Sequence, residues 1–204
     1  MPREPEVSEV FKTLSGAGFI LQIDDPRLVT YYMMHRELSV ADCRRWAAEH
    51  VEVINDSLRA IPPEKVRFHT CYSIDVGPRI HEMDLKDIVD ILLKINAGAY
   101  SFEAANPRHE HEYPVFEGVK LPADKILIPG VISHTTNLVE HPELIAERIL
   151  RFAKIVGREN VIAGADYGFA ASALRFNDTH SSVAWLKFAA LAEGARLATR
   201  ELWK

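Results

Sequence analysis

The chain has 204 residues, 48% of them hydrophobic, and a formal net charge of −5. This is enough apolar material for a single domain with a real core, and the acidic balance argues against nucleic acid or an anionic membrane as main partner. Two cysteines, Cys43 and Cys71, are too few for a disulfide framework; with no secretory leader and no apolar run of about 18 residues, the chain reads as soluble and cytoplasmic.

In chain order, residues 18–24 read as a buried strand and 41–60 as a helix, with Ser39 or Asp42 near its start. A strand over 66–71, a helix over 85–96 and strands over 99–103 and 126–131 follow. A helix over 142–156, a strand over 160–166 and a helix over 182–202 complete the pattern. Apolar strands alternating with helices predict a parallel sheet covered by helices, in one α/β domain spanning residues 1–204. Residues 170–178 form a long connection that would overhang the strand ends, and Arg175 there and Arg108 are candidates for holding an anionic substrate group.

The chemistry-bearing residues fall where such folds place a site. Asp24, His69, Cys71, Glu103, His134 and Asp166 all lie at or just after predicted strand C-termini, the active face of barrels and open α/β sheets. In His69-Thr70-Cys71 the first and third residues project together from one strand end, with Glu103 ending the next strand. A nitrogen, a thiolate and a carboxylate at one rim suit Zn²⁺. The structural alternative is a hydrogen-bonded histidine beside a core cysteine, with Glu103 capping a following helix and Asp24 supporting the Asp25-Pro26 turn.

Five β/α units do not close a (β/α)₈ barrel, which needs eight strands and typically about 250 residues. The five units are part of a larger barrel, or are completed by another chain, or form an open sheet with edges covered by self-association.

Four runs carry a family resemblance: Gln22-Ile23-Asp24-Asp25-Pro26, His69-Thr70-Cys71, Ser101-Phe102-Glu103-Ala104-Ala105-Asn106-Pro107-Arg108 and Gly164-Ala165-Asp166-Tyr167-Gly168-Phe169. Together they resemble the catalytic domain of cobalamin-independent methionine synthase, a group that includes epoxyalkane:coenzyme M transferase-like proteins. The resemblance implies the C-terminal portion of a TIM (β/α)₈-type barrel, an incomplete barrel lacking the N-terminal strands. It implies His69, Cys71 and Glu103 as zinc ligands, with Glu103 and Arg108 also facing substrate. It implies Asp24 as the carboxylate holding a substrate amino group, and His134 as a proton donor.

One position departs from the family pattern. Where the family carries a fourth ligand in Asp-Cys-Gly, this chain has Asp166-Tyr167-Gly168. A phenol must lose a proton of pKa about 10 to ligate, so Tyr167 predicts weaker zinc binding than a thiolate.

The implied reaction is zinc-dependent alkyl transfer to a thiol, with homocysteine methylation from methyltetrahydrofolate the leading instance. Zinc would lower the thiol pKa, the thiolate would attack an activated alkyl carbon, and His134 would protonate the leaving group. Two other readings stay open: an epoxide-opening relative, and a non-catalytic paralogue or one subunit of a split barrel. The expected partners are a small-molecule thiol and an alkyl donor, with a homo-oligomer or companion chain completing the barrel.

Other features receive ordinary readings. His109-Glu110-His111-Glu112 lacks metal-ligand spacing and reads as a solvated helix start. Cys43 reads as a core residue, and Trp46, Trp185 and Trp203 as helix faces packed on the sheet. Gly16 and Gly18 precede a strand, so they form no phosphate loop.

Overall fold

The computed structural model describes residues 4–72, 80–170 and 179–204. Five strands, β1 (Leu21–Asp24), β2 (Val66–His69), β3 (Ala99–Phe102), β4 (Ile126–Ile132) and β5 (Gly164–Ala165), lie in sequence order. Every neighbouring pair is parallel. The expected five-unit α/β architecture is therefore present, and its polar strand ends share one rim.

Helices α1 (Glu4–Gly16), α2 (Arg27–Met34), α3 (Val40–Leu58) and α4 (Val89–Leu92) accompany the first three strands. Helix α3 starts where its sequence says it should. Ser39 accepts a hydrogen bond from the Asp42 backbone N–H, and the Asp42 side chain accepts one from the Ser39 backbone. This reciprocal cap stabilises the first turn by about 1 kcal/mol. The buried face of α3, carried by Cys43, Ala47, Val51 and Leu58, packs into a core shared with Val66, Phe68 and Leu127. Helices α1 and α2 carry no strong signal in sequence and were not expected.

Helices α5 (Pro142–Val156) and α6 (Ser181–Leu202) cover the other end of the sheet. A second apolar cluster joins Val131 and Ile132 of β4 to Ile145 and Ile149 of α5 and to Ala190 and Ala198 of α6. The two helices meet at Gly194. A Cβ there would sit 2.5 Å from Ile145 Cγ2 and 2.9 Å from the Pro142 carbonyl oxygen.

Several expected elements change shape. The helix expected over 85–96 is a 3₁₀ turn, Leu85–Asp87, followed by one turn of α4. Its β-branched run disfavours helix, and its backbone closes i→i+3 bonds, among them Ile88 N–H to Leu85, Lys94 N–H to Ile91 and Ile95 N–H to Leu92. At its ends Glu112 accepts from the Leu85 N–H, and the Tyr100 hydroxyl donates to the Leu93 and Ile95 carbonyls. The strand expected over 160–166 shrinks to β5, with an isolated bridge from Val161 to Leu127. Pro129 in β4 has no N–H to offer, and the β4–β5 register shifts between Gly130 and Ile132.

Trp46 packs half-buried against helix side chains, stacked on Tyr31 of α2 at 3.8 Å and beside His50 of α3 at 4.8 Å. Trp185 and Trp203 do not: they are 72% and 56% exposed, with Arg158 lying 4.0 Å above the Trp203 ring. Cys43 is buried as expected. Among the described residues, no helix is long and apolar enough to cross a membrane.

The α5–α6 contact makes a direct prediction. Gly194→Ala adds helix propensity but overpacks Ile145 and the Pro142 carbonyl, so it lowers Tm by roughly 5 °C in a thermal melt. An unchanged or raised Tm would mean the helices separate at no cost.

Candidate active site

Strand register builds the site. Asp24 at the end of β1 lies opposite His69 at the end of β2, which lies opposite Ser101 of β3. Asp24 Oδ1 is 2.9 Å from His69 Nδ1. Beyond the strand, Thr70 N–H donates to the Ser101 carbonyl, and the Thr70 hydroxyl donates to the Asp25 carbonyl. These bonds prolong the ladder and carry Cys71 onto the rim. Asp25, rather than Asp24, supports the Pro26 turn, its Oδ1 accepting from the Arg27 N–H.

His69, Cys71 and Glu103 are all buried. Glu103 caps no helix. Its Oε1 accepts from the Tyr72 N–H at 2.9 Å and its Oε2 from Asn106 Nδ2 at 2.9 Å. Glu103 thereby bridges the segment after β2 and the segment after β3.

Tyr167 follows β5 and lies between two histidines. Its ring centroid is 5.4 Å from that of His69 and 5.8 Å from that of His134. Burial, then the charges of Asp24 and Cys71, push its phenol above the ordinary tyrosine range. Tyr167, His69, His134, Asp24 and Cys71 thus form one neighbourhood. Arg108 stands apart, its Nε donating to Glu82 Oε2 at 2.8 Å. Arg175 lies outside the described residues.

The sequence placed Asp166 at the rim without assigning it a specific role, and in the structure it ties the rim together. Its Oδ1 accepts from the Ala104 and Ala105 N–H groups at 2.8 and 2.9 Å, and its own N–H donates to the Ile132 carbonyl. His69 Nε2 lies 3.3 Å from its carbonyl oxygen. Gly130 is required beside it, since a Cβ there would fall 2.1 Å from Asp166 Oδ1 and 2.6 Å from its Cα. Asp166 is fully buried, and burial with the charge of Glu103 pushes its carboxyl up to about 8 against the pull of the two N–H donors.

The reading of residues 109–112 as a solvated helix start is corrected by the structure. His109 and Glu112 are buried, with His109 Nδ1 2.8 Å from Glu112 Oε2. Tyr72 stacks on the His109 ring at 3.5 Å. The i,i+3 spacing of His109 and Glu112 was the signal available for this contact.

As arranged, these donors are engaged with one another and with backbone groups rather than gathered around a metal. Among the described residues, no three His, Cys, Asp or Glu side chains gather into a group able to hold one. Both His69 ring nitrogens face oxygen atoms, and both Glu103 oxygens accept N–H donors.

The sequence of residues 7–190 matches the family model described as cobalamin-independent synthase, catalytic domain. The chain belongs to that family. A search of curated proteins found no match. Among solved structures, it is similar to a B12-independent methionine synthase from Shewanella sp. W3-18-1, determined in complex with selenomethionine. The two share 20% identity and a TM-score of 0.70 over 97% of this chain and 53% of the other. The chain thus spans about half the length of that methionine synthase, and the likeness establishes a partial (β/α)₈-type barrel.

Two predictions follow from this geometry. In metal-free protein, the raised Asp166 carboxyl favours folding in its neutral form. Stability is therefore greatest below about pH 4 with respect to this group and falls as pH rises through about 8. Asp166→Asn removes that slope in thermal melts across this range; an unaltered slope would mean Asp166 is ionised throughout. Separately, Tyr167→Cys supplies a thiolate at the rim and raises zinc affinity at least about tenfold by competition titration. An unchanged dissociation constant would show that position 167 does not reach a metal held there.

Proposed function

We propose that this chain is an S-alkyl transfer unit of the methionine-synthase type, with homocysteine as acceptor and a methyl-folate as donor. The observation that carries the reading is the gathering of Asp24, His69, Cys71, Tyr167 and His134 at the C-terminal rim of a parallel sheet in this family. The resemblance of the four motif runs is what supports His69, Cys71, Glu103 and Tyr167 as zinc ligands. Because the donors do not close on a metal as arranged, the steps below use only the chain's own groups.

Asp24 is exposed beyond its bond to His69, so its carboxylate is available to a substrate ammonium group. This holds the amino acid with its sulfur turned toward Tyr167 and His134. The acceptor enters as a thiolate, its proton leaving to solvent. A new S–C bond forms at the methyl carbon as the C–N5 bond of the folate breaks. The bonding electron pair passes to N5, which takes a proton from the His134 imidazolium; the ring is left neutral and regains a proton from solvent before the next turnover. His134 is buried, so this transfer proceeds away from bulk water.

Among the described residues, β1 and β5 each have a strand on one side only. As part of this proposal, further strands complete the barrel, supplied by a longer chain, a companion chain or a second copy.

The test is methyl transfer from ¹³C-methyltetrahydrofolate to homocysteine, followed by the ¹³C-methionine signal. Asp24→Ala is expected to raise the KM for homocysteine about tenfold or more, while His134→Gln lowers kcat about 100-fold or more with KM retained. Transfer unaffected by both substitutions would remove the rim from the reaction.

A further inference from the structure

We propose that Lys187 and Glu140 are positioning residues that hold His134 at the rim. The proposal rests on the role assigned above to His134, but its geometry stands independently. Lys187 lies on α6 with its side chain completely buried. Its Nζ donates to Glu140 Oε2 at 2.7 Å and to the Leu138 carbonyl at 2.6 Å. Glu140 in turn accepts, through Oε1, the Ser133 N–H at 2.7 Å. Ser133 precedes His134, so one carboxylate spans the loop that follows β4 and fastens both its ends.

Further bonds act within the loop and on His134 itself. Ser133 Oγ and Thr135 Oγ1 lie 2.8 Å apart, and the Leu138 N–H donates to Thr136 Oγ1. The Thr179 hydroxyl donates to the His134 carbonyl at 3.3 Å. Lys187 ties residues 138–140 to the body of α6.

The surroundings argue that the pair is kept for more than stability. Beside this buried ammonium, Leu138 is 78% and Leu186 57% exposed to water. A fold selecting only for stability would bury the leucines and expose the lysine, because desolvating an ion pair costs about as much as its attraction returns. A directional, charge-assisted bond fixes a loop in one place where apolar contact alone permits several.

The consequence is separable from folding. Lys187→Met leaves the Glu140 carboxylate buried without its cation and lowers Tm by roughly 10 °C. Lys187→Met combined with Glu140→Gln removes both charges but keeps an oxygen for the Ser133 N–H, and it recovers most of that loss.

The measurement is the imidazole ¹H–¹⁵N correlation spectrum of histidine-labelled full chain, recorded at 10 °C where every variant is folded. The His134 signals are assigned by their absence from His134→Gln. In the double variant they are expected to shift or broaden although stability has returned, and Lys187→Arg is expected to restore their parental positions. Parental His134 signals in the double variant would overturn the proposal and leave the pair as structural only. The spectrum needs no substrate, so absence of methyl transfer would sink the alkyl-transfer reading without touching this one.

Discussion

The rim depends on a single buried carboxyl. Asp166 sits at the end of the shortest strand, where its side chain holds the two amides following β3 and its backbone N–H holds the end of β4. Its carbonyl faces His69 at the end of β2. Three strand ends are thus referenced to one residue, and Gly130 leaves the space that residue fills. Burial favours the neutral acid there, and the two N–H bonds to Oδ1 hold it in place against the turn after β3. The same bonds set the backbone that follows Glu103, and so the direction in which Glu103 points.

The groups with chemical capacity hang from this frame. Asp24 and His69 are paired across β1 and β2, Glu103 is held between Tyr72 and Asn106, and Tyr167 stands between two histidines. Behind them, the His109–Glu112 pair backs the Tyr72 ring and ties it to the segment beginning at Leu85. His134 comes from a separate loop, fastened to α6 through Glu140 and Lys187. A site assembled from five strand ends is sensitive to how each segment is anchored, which explains the number of buried polar groups around it.

Much of this was legible in the sequence, for identifiable reasons. The strand cores at Phe68, Leu127 and Ile132 are apolar runs that survive any reading, and the Ser39–Asp42 cap announces α3. The polar residues at strand ends were visible because a parallel sheet sends its C-termini to one rim. What was hidden depends on contacts distant in sequence. Asp166 acts on Ala104 and Ala105, about 60 residues away, and the resemblance drew attention to its neighbour Tyr167. His109 and Glu112 look like a solvated charge run until Tyr72 covers them. The expected helix over 85–96 tightens into 3₁₀ turns around the β-branched residues Ile88, Val89 and Ile91, while Glu112 and Tyr100, distant in sequence, satisfy the orphan groups at its two ends.

The central claim is that this rim receives a thiol between Tyr167, His69 and His134. The most direct measurement is a crystal structure of the full chain soaked with homocysteine, locating its sulfur by anomalous scattering. The account predicts the sulfur at the C-terminal rim beside Tyr167, with the ligand's ammonium group at Asp24. A ligand bound elsewhere, or a rim left empty at saturating homocysteine, would contradict it.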